Sequence, residues 1–185
     1  MNFIEQLNTG KYPPEDINVV IEIPKGSNIK YEYDLDNGIL YVDRILSVEM
    51  VYPFNYGFIP KTIETLDDNS NNIDSLDVFV IDFDSLQPLS VINCTPIGVI
   101  LTEDQDGVDS KIIATPIPKI MNYNNLMDLN DVNPYYINKL KHFIEHHKDL
   151  EKEKFVKIKE LGDKTKAKGI ILDAIENYKK YKKNK

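Results

Sequence analysis

Short runs of apolar or alternating residues fill the first two-thirds of the chain, and this pattern predicts β-structure. The run at 18–24 is β-branched, and the alternating run at 30–34 stops at Asp36-Asn37-Gly38, which is a strong hairpin signal. Several such runs separated by turns are typical of a small closed or nearly closed barrel. The predicted strands cover residues 18–24, 30–34, 39–44, 77–82, 90–94 with 97–101, and 111–115.

The last third of the chain has the periodicity of helices instead. Asn133 and Pro134 supply an N-cap and a first-position proline. The face of this helix would contain Ile137, Leu140, Ile144 and His147. Asp163 is placed to cap a final helix, whose buried stripe would contain Ala167, Ile170, Ile171, Ala174, Ile175 and Tyr178. Since no repeat or linker interrupts these elements, residues 1–185 are expected to form a single domain.

Composition narrows the class of protein. A net charge of −8 argues against general binding of nucleic acid, because neutralisation of phosphates by Lys and Arg dominates that affinity. No apolar run is long enough to predict a membrane span. Cys94 is the single cysteine, so no intrachain disulfide is possible and a reducing, cytoplasmic setting is expected.

Carboxylates are concentrated in two turns rather than spread along the surface. Asp74 and Asp77 stand at the start of an apolar strand, and Asp104 and Asp109 flank a glycine-containing turn. Successive residues of a strand point to opposite faces, so Asp74 and Asp77 need a bend near Ser75 to serve one site. Hard divalent cations such as Mg²⁺ take oxygen ligands of this kind. Each turn alone is also compatible with an ordinary solvated loop.

Isolated cations lie within otherwise apolar or aromatic stretches. Lys30, Arg44 and Lys148 are of this type, and Arg and Lys are the side chains that bind phosphate oxygens. The segment 52–60 is dense in aromatic residues and proline, which favours a buried rigid turn. A tyrosine hydroxyl held in such a turn can donate to a phosphate oxygen. Carboxylates that can bind a metal, together with positively charged side chains that can bind an anion, indicate chemistry on a phosphate.

Two other metal motifs are excluded by spacing. The segment from Asp104 to Gly107 matches only part of an EF-hand loop, because the third acidic position is missing, the glycine comes early and no Glu follows at the twelfth position. His142 and His146 enclose Phe-Ile-Glu rather than the Glu-x-x of a zinc protease helix. A packed or hydrogen-bonded histidine face is the better interpretation.

Seven segments occur in the order that is typical of one enzyme family. The segments are Val20-Ile-Glu22-Ile-Pro24, Ile29-Lys30-Tyr-Glu32, Val42-Asp43-Arg44, Tyr52-Pro-Phe-Asn55-Tyr56-Gly57, Asp74-Ser-Leu-Asp77-Val78, Asp104 through Asp109 to Lys111, and His142-Phe-Ile-Glu-His-His147-Lys148-Asp-Leu-Glu151. Together they resemble family I soluble inorganic pyrophosphatase of the single-domain bacterial type, from about residue 19 to residue 159.

This resemblance implies an α+β fold dominated by β-structure, a five-stranded OB-like closed barrel with flanking C-terminal helices. It also implies hydrolysis of pyrophosphate to two phosphates with several Mg²⁺ ions per site, and a homo-oligomer that is often a hexamer. By the same resemblance, Asp74 would accept a proton from the attacking water. The implied metal ligands are Asn72, Asp77, Asp104, Asp109 and, through waters, Glu22, and the implied substrate-binding residues are Lys30, Arg44, Tyr56, Lys111, His147 and Lys148.

Departures from the family pattern leave alternatives open. Asn72 stands where the family has a metal-binding Asp, so weaker metal affinity is expected, and Asp67 or Asp68 in the longer preceding loop could substitute. His147 replaces the usual phosphate-binding Tyr, although its ring N–H could still donate. A catalytically impaired relative that binds metal and phosphate is one alternative. An OB-fold oligonucleotide-binding module is the other, and it conflicts with the net charge.

Overall fold

The computed structural model describes residues 3–35, 37–65, 74–81, 84–105, 107–121 and 126–184. Within them, a sheet of six strands runs in the order β1-β4-β5-β7-β6-β8, and β1 also pairs with β6. The pairings therefore pass around a ring of five strands, and β8 pairs with residues 98–104 of β6, beyond the residues 91–94 that pair with β1. The strands are β1 Ile17–Ile23, β2 Ile29–Asp34, β3 Ile39–Ile45, β4 Asn55–Phe58, β5 Asp77–Val80, β6 Val91–Asp104, β7 Gly107–Pro116 and β8 Val156–Asp163.

The predicted β-dominated, OB-like fold is confirmed, and each predicted strand has a counterpart in the structure. β2 and β3 form a separate two-stranded sheet in which Asp34 pairs with Ile39, as the hairpin signal predicted. Its turn includes Gly38, whose φ of 69° is a conformation that glycine adopts without strain. The two predicted runs at 90–94 and 97–101 are one long strand, whose pairing with β7 is irregular between Pro96 and Gly98.

Two strands were not predicted. Segment 52–60 was interpreted as a rigid aromatic turn, but Asn55–Phe58 forms β4 and pairs with both β1 and β5. Gly57 is required there, because a Cβ atom would lie 1.9 Å from the carbonyl oxygen of Val20. The expectation that the last third is all helical was wrong for β8, Val156–Asp163, which pairs with β6. Its outward lysines and glutamates hid the strand pattern.

The helices are α1 Phe3–Gln6, α2 Pro134–His146 and α3 Lys164–Asn184, with a 3-10 turn at Leu129–Asp131. The two caps were predicted correctly, since Asn133 accepts from the Tyr135 N–H and Asp163 accepts from the Lys166 N–H, both at 2.9 Å. None of the helices in the described residues has the length and apolar composition of a membrane span.

Alternate residues of the central strands divide between two apolar clusters. Val78 and Val80 of β5 pack in the cluster that α3 completes with Ala167, Ile171 and Ala174. Phe79 and Ile81 belong to the other cluster, which α2 completes with Leu140, Phe143 and Ile144. This two-residue period places Asp77 on the same side as Phe79, and Asp109 and Lys111 on the same side as Ile113. The chemistry-bearing side chains therefore share the α2 side of the sheet.

Asn55 ties two loops to β4 from a fully buried position. Its Oδ1 accepts from the Lys25 and Leu86 N–H groups at 3.1 and 2.9 Å, and its Nδ2 donates to the Asp84 carbonyl at 2.8 Å. We expect Asn55→Ala to lower the free energy of unfolding by about 2–4 kcal/mol, because buried donors and acceptors lose their partners. Urea denaturation checks this. Asn138→Ala on the exposed face of α2 is the control, and a loss below about 1 kcal/mol at Asn55 would contradict the prediction.

Candidate active site

Strand register brings the predicted acids and bases together. β5 and β7 are parallel, and Asp77 lies directly opposite Lys111. β6 and β7 form an antiparallel hairpin in which Thr102 lies opposite Asp109. Side chains that are opposite or two residues apart in paired strands point to the same face. Register alone therefore collects one lysine and two carboxylates at a single point.

Lys111 is the centre of this group, and its side chain is only 12% exposed. Its Nζ donates to Asp77 Oδ2 at 2.8 Å, to Asp109 Oδ2 at 2.7 Å and to the Tyr56 hydroxyl at 3.1 Å. The Tyr56 hydroxyl also donates to Asp77 Oδ2. The ammonium thus fills the position between two carboxylates that would otherwise repel each other.

Burial and neighbouring charges shift the pKa values of these groups. Burial raises the pKa of Asp77, and the nearby Lys111 ammonium only partly offsets this. Burial also acts to raise the pKa of Asp109, but the Lys111 ammonium outweighs this effect and the pKa lies below its ordinary value. Burial, followed by the charge of Asp77, raises the pKa of Glu22 to about 8. Burial is therefore the largest cause of the raised pKa at Glu22 and Asp77, and neighbouring carboxylates add to it.

A second set of ion pairs lies on the other strands and on the turn after α2. Lys148 Nζ contacts Asp104 Oδ2 at 2.9 Å. Lys30 pairs with Glu32 and lies 3.4 Å from Asp43 Oδ2. Arg44 Nη1 lies 2.9 Å from the same Asp43 oxygen. The hairpin β2–β3 and the turn after α2 each contribute cations to one region.

One cavity unites most of the predicted site residues, and aromatic side chains of the α2-side cluster also line it. The predicted residues that line it are Lys30, Arg44, Tyr56, Asp77, Asp104, Asp109, Lys111, His147 and Lys148. Two other predicted residues, Glu22 and Asp74, do not line it, although the charge of Asp77 acts on both carboxyl groups. Asn72, Asp67 and Asp68 lie outside the described residues.

Several contributors were missed by sequence reasoning. Tyr52 and Thr102 line the cavity, and the Tyr52 ring packs 5.6 Å from that of Tyr56. Glu64 accepts from the Ser110 N–H and hydrogen-bonds Asp109, and burial followed by the Asp109 charge raises its pKa to about 8. Tyr52 belongs to the motif Tyr52-Pro-Phe-Asn55-Tyr56-Gly57 and could have been recognised there. Glu64 had no local signal, because 46 residues separate it from Ser110.

His147 is neutral at ordinary pH, because burial lowers its pKa to about 4. Its Nδ1 lies 3.1 Å from the Phe143 carbonyl and 2.9 Å from the Ile144 carbonyl. Carbonyl oxygens only accept, so Nδ1 carries the proton and Nε2 of the neutral ring has none. Donation from His147 to phosphate stays a prediction, and it requires the doubly protonated ring or a rearranged tautomer.

The barrel and its cavity define a class of protein that binds metal cations and a polyanion in one place. Carboxylate oxygens are the ligands for the cations, and lysine amines and an arginine guanidinium are the groups that bind the polyanion. A family model for inorganic pyrophosphatase matches residues 19–179. The inorganic pyrophosphatase of Saccharolobus solfataricus is 48% identical over 175 residues, covering 94% of this chain and 98% of the relative. That of Xylella fastidiosa is 43% identical over 178 residues, covering 95% and 97%.

Solved structures give the same result. The inorganic pyrophosphatase of Helicobacter pylori aligns with a TM-score of 0.86 at 39% identity, covering 95% of this chain and 99% of that one. The Thermus thermophilus structure aligns with a TM-score of 0.87 at 34% identity, covering 97% and 99%. The chain belongs to the inorganic pyrophosphatase family, a family of metal-dependent hydrolases, in its bacterial family I form. The resemblance drawn from the seven motifs is confirmed.

Proposed function

We propose that this chain hydrolyses inorganic pyrophosphate to two phosphates. The observation that carries the proposal is the single cavity in which Asp77, Asp104 and Asp109 face Lys30, Arg44 and Lys148. Pyrophosphate is a polyanion that repels an attacking hydroxide until cations neutralise it. Fixed amines and a guanidinium also stabilise the charge that develops on the leaving phosphate.

The residue roles are proposals that rest on position and chemistry. Asp74 accepts a proton from the attacking water, and its backbone is held next to the site because its carbonyl accepts from the Glu64 N–H at 3.0 Å. The phosphate oxygens are bound by side chains that donate hydrogen bonds or carry positive charge. These are Lys30, Arg44, Tyr56, Lys111 and Lys148, with His147 beside them.

Mg²⁺ is the proposed cofactor, with several ions per site. The available donors are carboxylate oxygens, which hard cations prefer. Among the described residues, no three acids, histidines or cysteines already lie at metal-binding spacing, and Lys111 Nζ separates Asp77 from Asp109. We propose that Asp77, Asp104 and Asp109 hold the metal, with Glu22 acting through waters. Bound Mg²⁺ would neutralise the diphosphate and acidify the attacking water.

Metal-dependent turnover by the purified chain tests this function directly. Phosphate release from pyrophosphate is measured with Mg²⁺ and with a chelator, and ATP at the same concentration serves as the control substrate. Rapid release that needs Mg²⁺ supports the proposal. Binding of Mg²⁺ and phosphate without release would instead indicate a catalytically impaired relative, and a gel shift with an oligonucleotide at moderate salt would indicate nucleic-acid binding.

Asn72→Asp tests the proposed place of residue 72 among the metal ligands. We expect this change to lower the Mg²⁺ concentration for half-maximal activity, because a carboxylate adds a charge that an amide lacks. Titration of activity with Mg²⁺ measures it. Asn71→Asp adds the same charge one residue away and is the matched control. An unchanged or higher Mg²⁺ requirement in Asn72→Asp would contradict the assignment.

Assembly and location remain proposals as well. We propose a homo-oligomer, a hexamer by resemblance to the family, and size-exclusion chromatography with light scattering tests it. A cytoplasmic location is consistent with Cys94, a single free thiol that is buried in the structure. Fractionation of cells is the corresponding test. The charge of −8 likewise supports the absence of a nucleic-acid partner.

A further inference from the structure

Glu151 is a shielded carboxylate in the turn after α2, and no role above includes it. Its side chain is only 13% exposed, and its Oε1 lies 3.3 Å from Arg44 Nε. Its other oxygen, Oε2, lies 3.3 Å from Lys154 Nζ. The motif that contains Lys148 and Glu151 gave no indication that this acid reaches a strand more than 100 residues earlier.

The contact between Arg44 and Glu151 is also shielded from solvent at the arginine Nε atom. Arg44 Nε and Glu151 Oε1 are both shielded from solvent, and within the described part of the chain neither atom makes a hydrogen bond. Each is compensated by the opposite charge across 3.3 Å. Arg44 Nη1 is meanwhile paired with Asp43 at 2.9 Å. The guanidinium thus has one carboxylate at Nε and another at Nη1, and Nη2 is the nitrogen that this arrangement leaves for a phosphate oxygen.

The pair also connects two parts of the fold that meet at the cavity. The hairpin β2–β3 is a sheet of its own, separate from the six-stranded sheet, and it carries Lys30 and Arg44. The turn after α2 carries Lys148. An ion pair between Arg44 and Glu151 therefore sets the distance between these two sources of positive charge.

We propose that Glu151 is a positioning residue for substrate binding, acting through Arg44, and this inference rests on the proposed function. Glu151 holds the planar guanidinium in the orientation that presents it to a phosphate group. It also ties the hairpin to the turn that carries Lys148. Without this carboxylate, Arg44 keeps its charge but loses its fixed orientation, so the phosphate must order it on binding.

Glu151→Gln is the decisive variant, because it keeps the shape of the side chain and removes its charge. We expect the KM for pyrophosphate to rise about tenfold while kcat stays within about threefold of the wild type. Glu153→Gln removes the same charge from an exposed position two residues away and should leave both constants unchanged. Thermal unfolding of each variant verifies that it is folded.

A double-mutant cycle distinguishes action through Arg44 from a general effect. In the Arg44→Ala background, Glu151→Gln should raise KM no further, because the residue that it positions is gone. Binding of methylenediphosphonate, measured by calorimetry, repeats the comparison without turnover. It therefore tests the positioning role even if the wild type releases no phosphate, which would refute only the proposed function. An unchanged or lower KM in Glu151→Gln, additive effects in the cycle, or a loss confined to kcat would overturn the inference.

Discussion

Asp74→Asn is expected to lower turnover of pyrophosphate by about 100-fold or more, because an amide cannot accept the proton that the attacking water must lose. The substitution preserves size, so Mg²⁺ binding should be largely kept. Steady-state kinetics at saturating Mg²⁺ measures the first effect, and isothermal titration with Mg²⁺ measures the second.

The structure gives Asp74 a suitable setting for this role. It lies two residues before Leu76, whose N–H donates to Thr62 Oγ1 at 3.0 Å, so the backbone close to Asp74 is anchored. Burial, then the charges of Asp77 and Glu32, raises the pKa of its carboxyl group. Asp173→Asn, which removes an exposed acid from α3, is the matched control. Near-normal turnover in Asp74→Asn would remove the proposed role.

The strands that were predicted from the sequence are those in which the segment's own residue types favour β-structure. The runs that became β1 and β7 are β-branched and buried on both faces, so local pattern and final environment agree. β4 was missed because its sequence, Asn-Tyr-Gly-Phe, is only four residues long, has no β-branched residue and lies between two prolines. It is a strand because Gly57 lets it approach β1 closely, which is a property of the partner as much as of the segment.

The features of the site also divide into those that the local sequence predicts and those that depend on distant segments. The identity of Asp77, Asp109 and Lys111 as site residues followed from motif resemblance, and parity along the strands explains why they share a face. Their mutual pairing depends on the register of β5 against β7, which no local pattern specifies. The role of Glu151 was missed for a similar reason, because its partner Arg44 lies on the separate β2–β3 sheet, more than 100 residues earlier in the chain. Contacts between distant segments are what the sequence alone did not reveal.

Lys111→Met should show that the lysine ammonium occupies a position suited to a metal cation. In metal-free buffer we expect the free energy of unfolding to fall by about 3 kcal/mol, because Asp77 and Asp109 lose the charge that compensates them. Asp77 and Asp109 are partly exposed, at 27% and 35%, which keeps the loss at the low end of the range for buried pairs. Urea denaturation in the presence of a chelator measures it.

Mg²⁺ should stabilise Lys111→Met more than it stabilises the wild type. In the wild type a cation must compete with the ammonium that lies 2.8 and 2.7 Å from the two carboxylates, whereas in the variant it meets them unpaired. A ligand that binds the native state more tightly stabilises it more. Lys166→Met, which breaks the exposed pair with Glu160, is the control and should show the wild-type response. Equal or weaker stabilisation of Lys111→Met by Mg²⁺ would mean that ammonium and metal do not compete for these carboxylates.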